Sequence, residues 1–244
     1  MISLNLMTDN AANSGQLALG IYLRDDATFE NFYFSEANKP LQFALDSQLN
    51  EGGEQIIYVH GRRGSGCSHL LQAACHLADL CGKSSLYLPM EELCAMTATE
   101  VLEGIEQLDL IALDNIEFIS GNDDWQEGLF HLINRVRLGQ CRLLIGANNA
   151  PRATGITLAD LQSRLSWGLV FHVHMLTDSE QRQGLQMRAM QRGLIVEDDV
   201  AQYILSRSSR GLASLVPLLD KLDKASMAEQ RRLSIPFVRQ YLDV

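Results

Sequence analysis

The most constraining stretch of this chain runs from Ile56-Ile57-Tyr58-Val59 through His60-Gly61-Arg62-Arg63-Gly64-Ser65-Gly66-Cys67-Ser68-His69. A β-branched and aromatic run passes through a glycine-rich turn into Leu70, Leu71, Ala74, Leu77 and Ala78, which recur at helical spacing, so the segment reads as strand, loop and helix. The loop matches the pattern G-x-x-x-x-G-K-[ST] everywhere except at the lysine, where Cys67 stands. Glycines let the backbone curl so that successive N–H groups and the helix N-terminus face an anion without help from a charged side chain. Gly61, Arg62, Arg63, Gly64, Ser65, Gly66, Cys67, Ser68 and His69 are therefore the candidate phosphate cradle, and the Ser68 hydroxyl is available to a phosphate or to Mg²⁺. The missing lysine would offset charge on the β and γ phosphates. Cys67 is short and ordinarily neutral, so triphosphate turnover is expected to suffer more than diphosphate binding. The competing reading is a plain glycine-rich turn; the strand before it and the helix after it favour the phosphate.

The strand theme repeats in Leu86-Tyr87-Leu88, Leu110-Ile111-Ala112-Leu113, Leu143-Leu144-Ile145 and Leu169-Val170-Phe171, with spacers long enough for crossover helices. These runs lack polar alternation, as strands buried on both faces do, and their order implies a parallel sheet wrapped by helices, an α/β fold. From Thr177 only helical patterns follow, opened by the capping box Thr177-Asp178-Ser179-Glu180. A boundary near residue 176 results. Residues 1–20 are rich in Asn, Ser and Gly without a sustained period and read as a flexible arm.

Charge limits the function classes. The chain carries 20 Lys+Arg against 30 Asp+Glu, a net charge of −10, which argues against a surface that grips nucleic acid broadly. The imbalance lies before residue 180, because residues 180–244 hold 10 basic and 8 acidic side chains and leave 10 and 22 to the rest. The five cysteines include no Cys-x-x-Cys pair, so neither a disulfide framework nor a zinc site is expected, and a cytoplasmic setting fits. The N-terminus lacks the layout of a signal peptide, and no apolar run reaches spanning length, so no membrane association is expected. His172 and His174 alternate onto one strand face without an apparent third ligand, and no dedicated metal site is expected.

A second apolar strand ends in Leu113-Asp114-Asn115. Its aspartate can reach a Mg²⁺ held beside the loop, whereas Asn115, where hydrolytic enzymes of this kind place a second carboxylate, cannot accept a proton. The loop, Asp114 and Leu161-Gln162-Ser163-Arg164-Leu165-Ser166-Trp167-Gly168-Leu169 together resemble the DnaA family of AAA+ replication proteins, most closely its shorter Hda-type regulators. The likeness runs from about Tyr22 to the C-terminus and includes Ile235-Pro236-Phe237-Val238.

That resemblance implies an N-terminal arm over 1–21, an AAA+ P-loop core with a parallel sheet over 22–176, and a small all-α lid over 177–244. It implies that Arg164 is an arginine finger acting in trans, that Asn148 is the sensor 1 residue, and that Phe29 and Phe32 border the base. It places Ala213 where the lid's sensor 2 arginine is expected, with Arg210 one turn away. Gln16, Leu17, Leu19 and Ile21 resemble the segment by which such regulators dock on the DNA polymerase III sliding clamp, with Gly20 departing from the usual Pro or Phe. No helix-turn-helix DNA-binding domain is expected to follow.

By that resemblance, Cys67, Asn115 and Ala213 are all expected to weaken the chain's own hydrolysis, while Arg164 is expected to serve a partner. The expected function is a regulator of replication initiation that holds ADP or another nucleoside diphosphate, with or without Mg²⁺, and with the DNA-loaded clamp stimulates ATP hydrolysis by DnaA. The alternative is an autonomous AAA+ NTPase in which Arg62, Arg63 or Arg210 replaces the lost cation. A finger in trans permits both homo- and hetero-assembly.

Overall fold

The computed structural model describes residues 22–207, 215–229 and 231–242. Five strands, β1 (Ile56–His60), β2 (Ser85–Pro89), β3 (Leu110–Asp114), β4 (Arg142–Ala147) and β5 (Leu169–His172), form one sheet in the order β2-β3-β4-β1-β5. Every pairing is parallel. Parallel neighbours require crossovers, and the chain supplies α1 (Lys39–Gln48) before β1, then α2 (Cys67–Leu80), α3 (Met90–Leu93), α4 (Ala98–Leu102), α5 (Asp123–Leu138) and α6 (Ala159–Leu165) between the strands.

Alternation along the strands divides the core in two. Ile57, Val59, Leu110, Ala112 and Leu144 face the side covered by Leu41 and Leu45 of α1 and Leu70, Leu71, Ala74 and Ala78 of α2. Ile56, Tyr58, Ile111, Leu113, Leu143 and Ile145 face the other, against Trp125, Leu129, Leu132, Ile133 and Val136 of α5 and Leu161 and Leu165 of α6. Spacing of these α5 residues at three and four explains the helix, and the Asn122 side chain caps it by accepting from the Trp125 N–H.

β5 departs from expectation. Its apolar run reads as buried on both faces, yet Leu169 and Val170 are 43% and 41% exposed, because β5 pairs only with β1 and forms the sheet edge. It joins α6 through Gly168, where an added Cβ would lie 1.8 Å from the Ile56 carbonyl oxygen. Only glycine lets the chain pass so close to β1.

After the sheet, Thr177 and Glu180 form a capping box that starts α7 (Asp178–Met190), followed by α8 (Asp198–Arg207), α9 (Val216–Glu229) and α10 (Ile235–Val238). These helices bury their own core, including Leu185, Val200, Ile204, Leu219, Leu222 and Phe237. The lid is tied to the sheet domain through the segment entering that domain. Asn38 exchanges two hydrogen bonds with the His174 backbone, at 3.1 and 3.0 Å, and the Arg188 Nε donates to the Asn31 carbonyl at 2.8 Å. Gln191 donates to the Glu30 carbonyl, and the Tyr33 hydroxyl donates to Gln183.

The same entering segment is held to α2 by His69, whose buried Nε2 donates to the Thr28 carbonyl at 2.7 Å. Burial pushes the His69 pKa down from 6.5 to about 4. Between those values the unfolded chain takes up a proton that the folded chain refuses, so stability is intact above pH 6.5 and declines as pH falls toward 4, by about 3 kcal/mol. His69→Gln should flatten this part of the urea-unfolding profile against pH; an unchanged slope would refute the assignment. Gly168→Ala should lower the urea midpoint by an amount equivalent to about 1–3 kcal/mol, since backbone must move to admit the methyl group. An unaltered midpoint would show that the β1–β5 approach yields freely.

Candidate functional site

The sheet delivers the candidate residues to the carboxyl ends of its strands, where doubly wound α/β folds open their crevices. β1 ends at His60, and the turn from Gly61 to Gly66 leads directly into α2. Two residues of the turn need positive φ, Gly64 at 90° and Gly66 at 102°. Gly66 is further constrained by Phe32, whose ring carbon would stand 2.5 Å from an added Cβ. The Ser65 N–H donates to the Arg62 carbonyl at 2.8 Å and tightens the turn. At the start of α2 the N–H groups of Cys67, Ser68 and His69 have no carbonyl one turn earlier within the helix to bond, which is the anion-receptive arrangement that the loop pattern requires.

Arg62 and Arg63 are exposed, and the Cys67 thiol lies 3.5 Å from the Ser65 hydroxyl. Burial pushes the thiol up to about 11, so Cys67 is neutral near pH 7.

Asp114, at the end of β3, is 1% exposed and answered within the chain. The Tyr87 hydroxyl donates to its Oδ2 at 2.6 Å and the Asn115 N–H to its Oδ1 at 2.9 Å. Burial first, and then the Asp114 charge, raise the Tyr87 pKa, which keeps the phenol a donor. Asn115 occupies the left-handed region, at φ 55°, one of the few non-glycine types suited to it. Gly146 leaves room for the carboxylate, since an added Cβ would lie 2.9 Å from Oδ1.

Beyond β4, the Asn148 side chain donates to Glu117, and its N–H donates to the same carboxylate at 3.3 Å. The Glu117 charge contributes to the rise in the Cys67 pKa, so a carboxylate stands close to the loop although Asn115 is not one. Sequence reasoning passed over Glu117, and only its place two residues after Asn115 in the same turn pointed to it.

Phe32, Tyr33, Asn38, Gly64, Ser65, Gly66, His69, His174, Met175, Leu176, Gln181 and Arg188 line one pocket between the loop, the entering segment and the lid. Phe32 thus joins the cradle, its ring 5.5 Å from that of His69. Phe29, partly buried against the same core cluster as Phe32, has its ring centroid 6.3 Å from that of Phe34 and is not among the residues lining this pocket. Arg188 was invisible to sequence reasoning because only the fold of the lid carries it there. A larger concavity between α4 and α5 is lined by Glu103, Glu106, Asp124 and Glu127 against His131 and Arg135, an acidic balance that disfavours a phosphate chain.

Arg164 lies in the last turn of α6. Its guanidinium carbon is 3.9 Å from the centroid of Phe130 and 4.9 Å from that of Trp167, and its Nε donates to the Asn134 side chain at 2.7 Å. Nη1 donates to the Asp160 carbonyl at 3.3 Å. Among the described residues no carboxylate forms an ion pair with it. Phe130 and Asn134, one turn apart on α5, are partners that the sequence did not announce.

Rings of His60, His172 and His174 follow one another at 5.1 and 4.5 Å, but among the described residues no group of three metal-ligating side chains is arranged to hold an ion. No described helix is long and apolar enough to cross a membrane. Gln16, Leu17, Leu19, Ile21, Arg210 and Ala213 lie outside the described residues.

The model of the bacterial DnaA ATPase domain matches residues 23–172, and that of the Hda lid domain matches residues 178–242. AMPPCP-bound DnaA from Aquifex aeolicus superposes with a TM-score of 0.70 at 21% identity, over 86% of this chain and 67% of that one. Domain III of the Thermotoga maritima replication initiation protein DnaA gives 0.72 at 18% identity, over 91% and 98%. The Thermotoga maritima RuvB Holliday junction branch migration motor gives 0.65 at 17%, over 88% and 71%. Structural likeness at these identities establishes the fold, a five-stranded parallel sheet followed by a helical lid. With the ATPase-domain model covering most of its length and an Hda lid behind it, the chain belongs to the bacterial DnaA family.

Proposed function

We propose that this chain is a nucleotide-holding regulator of DNA replication initiation, which retains a nucleoside diphosphate of the ADP type and presents Arg164 to the ATP site of DnaA. The observation that carries the reading is the contrast between two ends of the sheet domain. The loop keeps its backbone cradle but has Cys67 in place of lysine, whereas Arg164 rests against aromatic faces and an amide and pairs with no carboxylate among the described residues. A guanidinium pressed on a partner's γ-phosphate offsets charge spreading in the transition state, an effect worth about 10³–10⁵ in rate.

Under this reading Gly61–His69 hold the phosphates through main-chain N–H groups, Asp114 and Ser68 flank the position of a Mg²⁺, and Phe32 borders the nucleoside. Bound Mg²⁺ would neutralise phosphate charge there. Buried and hydrogen-bonded Asp114 fits such a role because each oxygen keeps a lone pair beyond its donor from Tyr87 or Asn115. DnaA and the sliding clamp are the proposed partners, the latter through Gln16, Leu17, Leu19 and Ile21, and the cytoplasm is the proposed setting.

A second reading has one observation in its favour. Glu117, beside Asn148 and near Cys67, could orient water and make the chain an NTPase in its own right. Under the regulator reading, purified protein turns over ATP slowly with Mg²⁺, and Glu117→Gln changes that rate little; rapid turnover abolished by Glu117→Gln or Asp114→Ala would reverse the choice. Arg164→Ala should cut clamp-dependent stimulation of DnaA hydrolysis by about 10³-fold or more, to background. Its melting temperature and its ADP affinity should stay near those of the unaltered chain. Stimulation that survives the substitution would remove Arg164 from the mechanism.

A further inference from the structure

We infer that Arg188, on the lid, is a nucleotide-contacting residue: it holds the entering segment with Nε and offers its remaining N–H groups to acceptor oxygens of the bound nucleotide. The inference rests on the proposal that Gly61–His69 hold a nucleotide.

Arg188 is only 6% exposed, an uncommon place for a guanidinium. Buried charges are ordinarily paired, because desolvation costs far more than one hydrogen bond returns. Among the described residues Arg188 makes one side-chain hydrogen bond, from Nε to the Asn31 carbonyl at 2.8 Å. The Asp26 carboxylate is felt electrostatically but is not hydrogen-bonded to it, and Arg24 and Arg192 act against its charge. Arg192, four residues on, shows what a settled arginine looks like here, since its Nε pairs with Asp220 at 3.0 Å.

Arg188 also stands in the right company. It lines the same pocket as Gly64, Ser65, Gly66 and His69, so its free N–H groups and the cradle share one space. His69 adds no competing charge, being neutral above about pH 4. A guanidinium fork suits phosphate oxygens, and its N–H groups can equally donate to the ribose oxygens of the nucleoside. Either contact would join lid, entering segment and ligand at one side chain and draw the lid onto an occupied site.

The test uses the full chain, displacement of a fluorescent ADP analogue, and ADP and inorganic pyrophosphate as competitors. Arg188→Gln should weaken ADP at least tenfold. Gln191→Ala, which removes the neighbouring strap to Glu30 outside the pocket, should leave ADP affinity unchanged. If pyrophosphate weakens with ADP in Arg188→Gln, the acceptors are phosphate oxygens; if only ADP weakens, they belong to the nucleoside, and both results support the inference. Equal losses in Arg188→Gln and Gln191→Ala would reduce Arg188 to a strap and overturn it, as would unaltered ADP affinity in Arg188→Gln. Failure of the unaltered chain to bind either competitor or the analogue would sink the nucleotide reading itself, and this inference with it.

Discussion

A chain leaving a buried strand must turn back to lay a helix over its parallel sheet, and here Gly61–Gly66 make that turn out of β1. Two of its glycines leave no room for a side chain. Phe32 fills the space where a Gly66 side chain would sit, and at Gly61 an added Cβ would meet the Ser65 hydroxyl at 2.5 Å and the Val173 carbonyl at 2.8 Å. Those contacts aim the start of α2 at the strand ends and seat the entering segment against the loop. Because Asn31, Asn38 and Glu30 of that segment bind the lid and the linker before it, the position of the lid is also inherited from the turn. Cradle, pocket wall and lid are thus one mechanical unit.

Electrostatics then distinguish among the anions such a unit could hold. Asp114 and Glu117 put two carboxylates beside a cradle that has lost its lysine, and Cys67 stays neutral, first through its burial and then through their charges. Without a neutralising cation, each added phosphate charge would be disfavoured by these carboxylates. Under the proposed function a Mg²⁺ flanked by Asp114 and Ser68 would offset that repulsion, and the missing lysine is what leaves a longer phosphate chain less compensated.

Much of the architecture was legible because it is written in short-range patterns. Five apolar runs became the five strands, with ends shifted by one or two residues, and Thr177-Asp178-Ser179-Glu180 became a capping box. Loop and helix followed from Gly61, Gly64, Gly66 and the helical spacing after them. The exposure of β5 was not legible, since a run such as Leu169-Val170-Phe171 reads the same at an edge as in the middle of a sheet; strand order decides that, and order is a long-range property. The same limit explains the site. Asp114 and the loop announce themselves by position, but Tyr87, Glu117, Phe130, Asn134 and Arg188 matter through partners 27 to 157 residues away in sequence.

What a protein pairs an arginine with also indicates what it keeps the arginine for. Arg135 and Arg192 meet carboxylates, which cancel their charge and leave nothing to export. Arg164 instead rests on Phe130 and Trp167, and Arg137 lies 4.4 Å from the same indole centroid. An aromatic face orients a guanidinium for about 0.5–1 kcal/mol without neutralising it. The Asn134 amide fixes the Nε edge in the same way, as a dipole and not as a counter-ion. Two rings and an amide therefore leave an aligned, undiminished cation on a half-exposed helix, a state that would be a poor device for stability. It suits the proposed encounter with a partner's phosphate, because the guanidinium is aligned in advance without a counter-ion among the described residues.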